Sequence, residues 1–408
     1  MIHRTKCITC GGGKLYKALD LGAMPNSNSL VKKQDLSKVK SWPLRYYWCT
    51  RCGLFQQLDL IEDRALFRNN YTYQTRINTP AIKHFGELAS IISKRSQQKD
   101  LAIVIGSNDG TEIDILKKAG FKKVFGVEPA KNIAKIANDS GIKTINNFFT
   151  FNLSKKIVKE YGQADVIMAN NVFAHIPDPK NMLLGMKNLI KPDGQIIIEV
   201  QWFRDVFKKL SIETLYAEHY YEWTVRAMKK LAQRCKMKLV NAEYLNDQQG
   251  GSIRFTLKLH GNETSKLEKY EKTSGIYDFD QISKLQQRAE TRKNKLVRLL
   301  KKLKNEKKNV VIWAVPAKVP TLLNFCKIDS RYIKCAYDST PTKVGKFIPQ
   351  ANIQIKDEKL LNQKMPDVPD YIIIGAWNYL DFAKKKLKWF TKRDGKLINM
   401  LTGKVINP

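Results

Sequence analysis

From about residue 100 the chain alternates fully apolar runs with amphipathic stretches. The first run, Leu101-Ala-Ile-Val-Ile105, is closed by Gly106, as a strand buried on both faces would be. The pattern then predicts a helix over 112–119, a strand over 123–128 and a helix over 132–140. Asp165-Val-Ile-Met-Ala169 and Gln195-Ile-Ile-Ile-Glu-Val200 read as further strands. Strands alternating with helices predict a parallel, doubly wound α/β sheet, reaching roughly residue 260. A second α/β pattern has a strand over 310–315, a helix over 318–325, and strands over 332–337 and 371–375. Between the two, 280–308 reads as a basic helix with Leu296, Leu299, Leu300 and Leu303 on one face. That stripe favours a solvated connecting helix over a nucleic-acid arm.

The first 60 residues differ. They hold short aromatic and apolar runs, such as Leu44-Arg-Tyr-Tyr-Trp48, punctuated by Gly and Pro, which suits a small metal-stapled module. Residues 61–95 read as helical, most clearly over 80–94. The expected domains are therefore 1–75, 76–265 and 266–408.

Composition narrows the class. The chain has 408 residues and is 43% hydrophobic, which fits several globular units and argues against disorder. No apolar run approaches the roughly 18 residues of a membrane span, and the polar stretch from Met1 to Cys7 does not read as a secretory signal. A cytoplasmic protein with no membrane partner is expected. The net charge of +34 admits nucleic acid, an anionic surface or a phosphorylated substrate as partner. Its Lys and Arg are scattered along the whole chain, which favours an ordinary solvated surface and a small-molecule substrate over nucleic acid.

Four of seven cysteines form two close pairs, Cys7-Ile-Thr-Cys10-Gly11 and Cys49-Thr-Arg-Cys52-Gly53. Two thiolates at this spacing reach one tetrahedral ion from a tight turn, and the glycine permits the positive φ that turns backbone N–H groups toward sulfur. Cys7, Cys10, Cys49 and Cys52 thus predict a closed, structural Zn2+ site. The alternative is two independent reduced or redox-active pairs, for which nothing nearby supplies a thioredoxin-like context.

The first core strand leads into Gly106-Ser-Asn-Asp-Gly110 and a helix. Glycines at such a turn let the backbone approach a ligand, and the helix N-terminus offers free N–H groups. The second strand ends at Glu128, where a carboxylate can accept from both hydroxyls of an adenosine ribose. The G-x-x-x-G spacing is not the dinucleotide fingerprint G-x-G-x-x-G, so S-adenosyl-L-methionine is favoured over NAD.

The motifs, taken in order, resemble a family. They are the two cysteine pairs enclosing Asp20-Leu-Gly-Ala-Met-Pro25, then Tyr71-Thr-Tyr73, the 105–110 loop and Gly126-Val-Glu-Pro-Ala130. Asn170-Asn-Val-Phe-Ala-His175, Glu199-Val-Gln201, Tyr216-Ala-Glu-His219 and Gly250-Gly-Ser-Ile-Arg254 follow, with Pro316-Ala-Lys318 and Ala376-Trp-Asn378 near the end. The chain resembles the sugar C-methyltransferases over nearly its whole length. The resemblance implies a Rossmann-like class I methyltransferase core between an N-terminal zinc-binding lobe and a C-terminal α/β domain, with substrate between the lobes. It also implies methyl transfer to carbon on a nucleotide-linked 4-keto-deoxysugar, by a monomer or homodimer. The sequence departs from the family at Val104, where an acidic residue is usual, at Ala217 in place of a His, at Gln249 before Gly-Gly-Ser, and at Ala314 and Val319, where glycines are usual.

Carried over residue by residue, the resemblance makes His219 the general base, with Glu218 to orient it or bind sugar hydroxyls. Tyr216, Tyr73 and His175 become donors to the keto oxygen. Gly106, Asn108, Asp109, Gly110, Glu128, Pro129, Asn170 and Asn171 are expected to bind cofactor, and Gln201, Arg254 and Lys318 substrate. Two other readings compete. An RNA methyltransferase would need a contiguous basic groove with exposed aromatics, and a catalytically idle scaffold would be explained by Val104 and Ala217.

Overall fold

The computed structural model describes residues 2–61, 71, 73–246 and 250–406. In the middle block, five strands run parallel: Leu101–Ile105, Lys123–Val127, Thr144–Ile145, Ala164–Asn170 and Ile190–Gln201. The hairpin of Lys238–Leu245 and Ser252–Lys258 completes a seven-stranded sheet, with Ser252–Lys258 antiparallel to Ile190–Gln201. The purely parallel sheet expected from the apolar runs is thus corrected at one edge, where two sequential strands with a short connection pair antiparallel. Strand order reverses beside Leu101–Ile105, so its carboxyl end is a topological switch point, the usual place for a ligand in an open α/β sheet. Every side chain of that strand is buried, Val104 among them in an apolar cluster with Ile113 and Met168.

The helix expected over 80–94 is Thr79–Arg95, capped by Asn78, whose side chain accepts from the Ala81 N–H. Thr75–Ile77 is a 3-10 turn, which corrects the helical reading of the stretch before it; residues 62–70 of that reading, with Thr72 and Gln249, lie outside the described residues.

A four-stranded antiparallel sheet forms the N-terminal lobe, in the order Tyr221–Glu222, Phe55–Gln57, Trp42–Cys49, Leu15–Met24. Its edge strand therefore comes from the middle block. The C-terminal block carries a second seven-stranded sheet, whose order reverses at Val310–Trp313. The strand expected over 332–337 is only Ala336–Asp338, because the chain before it turns through Asp329 and Tyr332. The connecting helix is Leu285–Asn305, with Leu296, Leu300 and Leu303 buried and Leu299 partly so. Two of its arginines serve inward contacts. Arg288 donates to the Phe207 carbonyl (2.9 Å) and Arg292 pairs with buried Glu213 (2.9 Å). Lobe residues Leu19 and Leu44, Phe203 of the middle block, and Val310 and Ile312 share one apolar core.

Ala314 ends the strand Val310–Trp313 with φ +65°, a left-handed conformation that a Cβ disfavours by about 1–2 kcal/mol. Glycine relieves that strain but loses more chain entropy on folding, about 0.5–1 kcal/mol. Ala314→Gly is therefore expected to stabilise the protein by roughly 0.5–1 kcal/mol, read as a higher denaturant midpoint at unchanged slope.

Candidate active site and zinc centre

The two cysteine turns face each other. Gly11 and Gly53 adopt φ +70° and +72°, and their N–H groups donate back to the Cys7 and Cys49 carbonyls (2.9 and 2.8 Å). A side chain at Gly53 would meet the Tyr277 ring at 2.2 Å. All four sulfurs lie within 4.8 Å of one another, with Cys7–Cys52 at 3.5 Å and Cys10–Cys49 at 3.6 Å. Tetrahedral zinc at the usual Zn–S length separates sulfurs by about 3.8 Å, so the cluster fits the ion. These distances are far too long for disulfides, and all seven cysteines are free thiols. Four thiolates leave no position for water or substrate, which makes the centre structural.

The same lobe grips the loop that holds His219. Three residues before Cys49, Tyr46 directs its hydroxyl to the His219 carbonyl (2.5 Å), with the Tyr216 carbonyl at 3.2 Å. The Gln57 amide donates to the His219 carbonyl (2.8 Å) and lies 3.2 Å from those of Ala217 and Tyr216. Tyr46 and Gln57 are buried, so these bonds have no competing water.

At the switch point of the middle sheet, Gly106, Asn108 and Gly110 all adopt positive φ. A Cβ at Gly106 would meet Val172 at 2.2 Å, and one at Gly126 would meet Ser107 Oγ at 2.1 Å, so both glycines are required by close approach. Glu128 is buried and accepts from the N–H groups of Asn108 (3.0 Å) and Ala130 (2.8 Å). Each oxygen keeps another lone pair for a ribose hydroxyl. Burial pushes its carboxyl up to about 7 against those two N–H groups. Ser107 Oγ, Asn170 Oδ1 and Gln201 Oε1 are buried without protein partners at the ends of their strands. This ring of polar atoms fits S-adenosylmethionine.

The other expected cofactor residues serve the loop itself. Asn108 Oδ1 accepts from the Thr75 N–H (2.9 Å). Asp109 accepts from Thr111 and from the Arg76 N–H (2.9 Å), so its carboxylate organises the loop and the segment above it. Asn171 has φ +57° and donates its N–H to the Glu199 carbonyl (2.8 Å), while the Pro129 carbonyl accepts from Asn146 (3.2 Å).

Segment 170–175 joins the cofactor loop to the histidines. Val172 packs on Gly106, and His175 lies 2.7 Å from the Glu218 carbonyl and 4.8 Å, ring to ring, from His219. The Tyr216 ring is 3.9 Å from that of His219. Burial pushes both imidazoles down to about 3, helped at His175 by the His219 charge, so both are neutral at physiological pH. Glu218 does not reach the His219 ring. Its carboxylate accepts from the Ser27 and Asn28 N–H groups (3.3 and 3.4 Å), and Ser27 Oγ bonds Thr321 Oγ1 of the C-terminal block (3.1 Å). All three blocks meet here.

Four other expected residues sit as follows. Lys318 is buried at the second switch point, 4.2 Å over the Trp377 ring and bonded to Asn378, and burial lowers it to about 8. Gln201 is buried at the end of its strand, and its Oε1 has no hydrogen-bond partner. Arg254 is buried in an ion pair with Glu199 (2.5 Å), which His84 also contacts (2.7 Å), so this arginine braces the sheet. Tyr73 is 45% exposed and accepts from Asn78 (3.3 Å). Tyr71 instead lies within electrostatic reach of Glu128, Tyr216 and Glu218, linking the two halves of the site. The carboxylate beside His219 is Glu222, 3.5 Å from Nδ1. Sequence reasoning missed it, although three residues after His219 is a spacing that can meet on one side of a turn.

Two expectations follow. Cys52→Ser should lose zinc by elemental analysis and, with it, the ordered lobe in near-UV circular dichroism; a zinc-free variant with an unchanged spectrum would contradict the structural role. Glu128 accepts ribose hydroxyls as a carboxylate, so S-adenosylhomocysteine affinity should rise with pH through about 7 and level above it. Calorimetry should show roughly a tenfold weaker and pH-independent affinity for Glu128→Gln.

Comparison with known proteins agrees with this geometry. Residues 7–67 match a zinc binding domain family, 84–242 a methyltransferase domain and 247–401 the C-methyltransferase C-terminal domain. The C-methyltransferase NovU of Streptomyces niveus is 26% identical over 96% of this chain and 94% of its own length. Among solved structures, the plantazolicin methyltransferase BpumL in complex with SAH is 13% identical, covering 45% of this chain and 87% of its own at TM-score 0.36. The PH0226 protein of Pyrococcus horikoshii OT3 is 14% identical, covering 46% and 96% at TM-score 0.37. The cysteine cluster, the cofactor loop and the three domain matches together make the chain an S-adenosylmethionine-dependent methyltransferase with an N-terminal zinc-binding domain, similar along its length to a C-methyltransferase.

Proposed function

We propose that the chain methylates carbon beside the ketone of a nucleotide-linked 4-keto-deoxysugar, with His219 as general base. Carbon becomes nucleophilic only after it loses a proton, and an adjacent ketone makes that proton acidic. His219 Nε2 takes the proton; the C–H electron pair moves into the enolate. Tyr216 and His175 donate to the developing oxygen anion, and Tyr71 takes the place that Tyr73 held in the sequence reading. S-adenosylmethionine, when bound, supplies the electrophilic methyl group. Glu128 and the 106–110 loop orient its adenosine, while Lys318, with Asn378, meets the anionic part of the substrate.

The observation that carries the reading is segment 170–175, which touches Gly106 at one end and the His219 ring at the other. It sets a neutral imidazole next to the cofactor loop in a water-poor site. Domains at 1–75, 76–265 and 266–408, a cytoplasmic location and a monomer or homodimer belong to the same proposal. Among the described residues no helix is long and apolar enough to cross a membrane.

His219→Asn should lower kcat at least roughly a hundredfold on keto-sugar nucleotides, with S-adenosylhomocysteine affinity unchanged by calorimetry. Retention of about a tenth of the rate would remove His219 from the base role. Turnover on no keto-sugar nucleotide by a protein that binds the cofactor product would reject the substrate class.

A further inference from the structure

Glu222 is a fully buried acid that the reaction so far leaves without a task. It lies in the two-residue edge strand Tyr221–Glu222, held against Phe55–Gln57 of the zinc lobe. Its side chain has no exposed surface, and neither carboxyl oxygen has a hydrogen-bond partner. The nearest polar atom of opposite character is His219 Nδ1, 3.5 Å from Oε1 and itself without a hydrogen bond. Other titratable side chains facing it are Tyr46 from the lobe and Tyr216 from the His219 loop. A buried, unpaired carboxyl costs several kcal/mol, so such a group persists where something uses it.

We infer that Glu222 is the positioning residue for His219: its carboxylate accepts a hydrogen bond from Nδ1–H, which fixes the tautomer whose Nε2 lone pair faces substrate. The inference rests on His219 acting as the base. In the proton-transfer step the substrate C–H bond breaks and an Nε2–H bond forms. The electron pair goes to the enolate oxygen, and the positive imidazolium lies against the negative carboxylate. No proton leaves Nδ1. Nothing else in the site supplies that countercharge, because Glu218 is turned to Ser27 and Asn28. At 3.5 Å the contact is somewhat long for a hydrogen bond and is an electrostatic pairing of two buried groups.

Burial alone holds the Glu222 carboxyl well above the usual carboxylate range, while burial pushes His219 down against the opposing pull of the Thr214 backbone carbonyl. Each ionises more readily in the presence of the other. The pair loses its proton as pH rises, and the deprotonated pair is the active form, so the acidic limb of the rate profile belongs to both groups together. Removing the carboxylate leaves an imidazole governed by burial, and the limb moves to lower pH.

The test uses the full-length, zinc-loaded protein. Glu222→Gln should lower kcat at least roughly tenfold with KM little changed, and shift the acidic limb of kcat down by about a pH unit or more. A fall in kcat with the limb in place would mean a packing role and overturn the proposal. NMR of the imidazole nitrogens, run on the unmodified protein, does not depend on the variant folding. It should find His219 protonated on Nδ1, and an Nε2–H tautomer would equally overturn the proposal. His219→Asn separates the two ideas: near-normal turnover there refutes the base, whereas unchanged turnover in Glu222→Gln alone refutes only the positioning.

Discussion

The active site depends on three backbone carbonyls. Those of Tyr216, Ala217 and His219 point at Tyr46 and Gln57, two buried side chains on neighbouring strands of the zinc lobe. Strand Trp42–Cys49 ends in a zinc ligand and carries Tyr46 three residues earlier, so the metal anchors the strand that anchors the loop. A metal held by the four cysteines thus bears on where the backbone of the His219 loop lies. Glu218 adds the opposite constraint, since its own carboxylate accepts from the lobe at Ser27 and Asn28. The loop is also held from the 170–175 segment, where His175 meets the Glu218 carbonyl and the Tyr220 N–H donates to the Ala174 carbonyl.

Burial sets the electrostatic character of the site. His175 and His219 are pushed neutral, and Glu112, Glu128 and Glu222 are all held above the ordinary carboxylate range. Few cations reach inside. A chain of net charge +34 has plenty of them, but Arg254, Arg288 and Arg292 brace the sheets and the interdomain helix. Lys318 is brought to the second switch point, and burial lowers it too. The positive charge of this protein is therefore a property of its surface, while its centre is poor in countercharge and sensitive to each added or lost proton.

Much of this was legible in the order of residues, for physical reasons. A strand buried on both faces has to be apolar throughout, so Leu101–Ile105 and Tyr371–Ile374 were plain; a thiolate pair separated by two residues has few uses besides a metal. The edge strand Tyr221–Glu222 was not legible, because two residues carry no period, and its pairing is decided by a lobe far away in sequence. The same distance hid Glu222, whose role appears only once Nδ1 of His219 is placed beside it. Arg254 and Asp109 show the converse. Both types commonly meet ligands, yet each found a nearer partner inside the protein, in Glu199 and in the Thr111 and Arg76 backbone. Tyr73 was the tyrosine expected at the site, yet it is Tyr71 that lies within electrostatic reach of Glu128 and Glu218.

The shared sheet of the zinc lobe has a consequence for synthesis. Strands Leu15–Met24, Trp42–Cys49 and Phe55–Gln57 leave the ribosome early, but the fourth strand of their sheet begins at Tyr221, with 163 residues between it and Gln57. A nascent lobe can bind its metal while its outer edge is still a row of unpaired backbone groups. The middle sheet must largely fold before that edge is covered. Because that fourth strand begins two residues after His219, the pairing that completes the lobe sheet and the placement of the His219 ring come from one short stretch of chain.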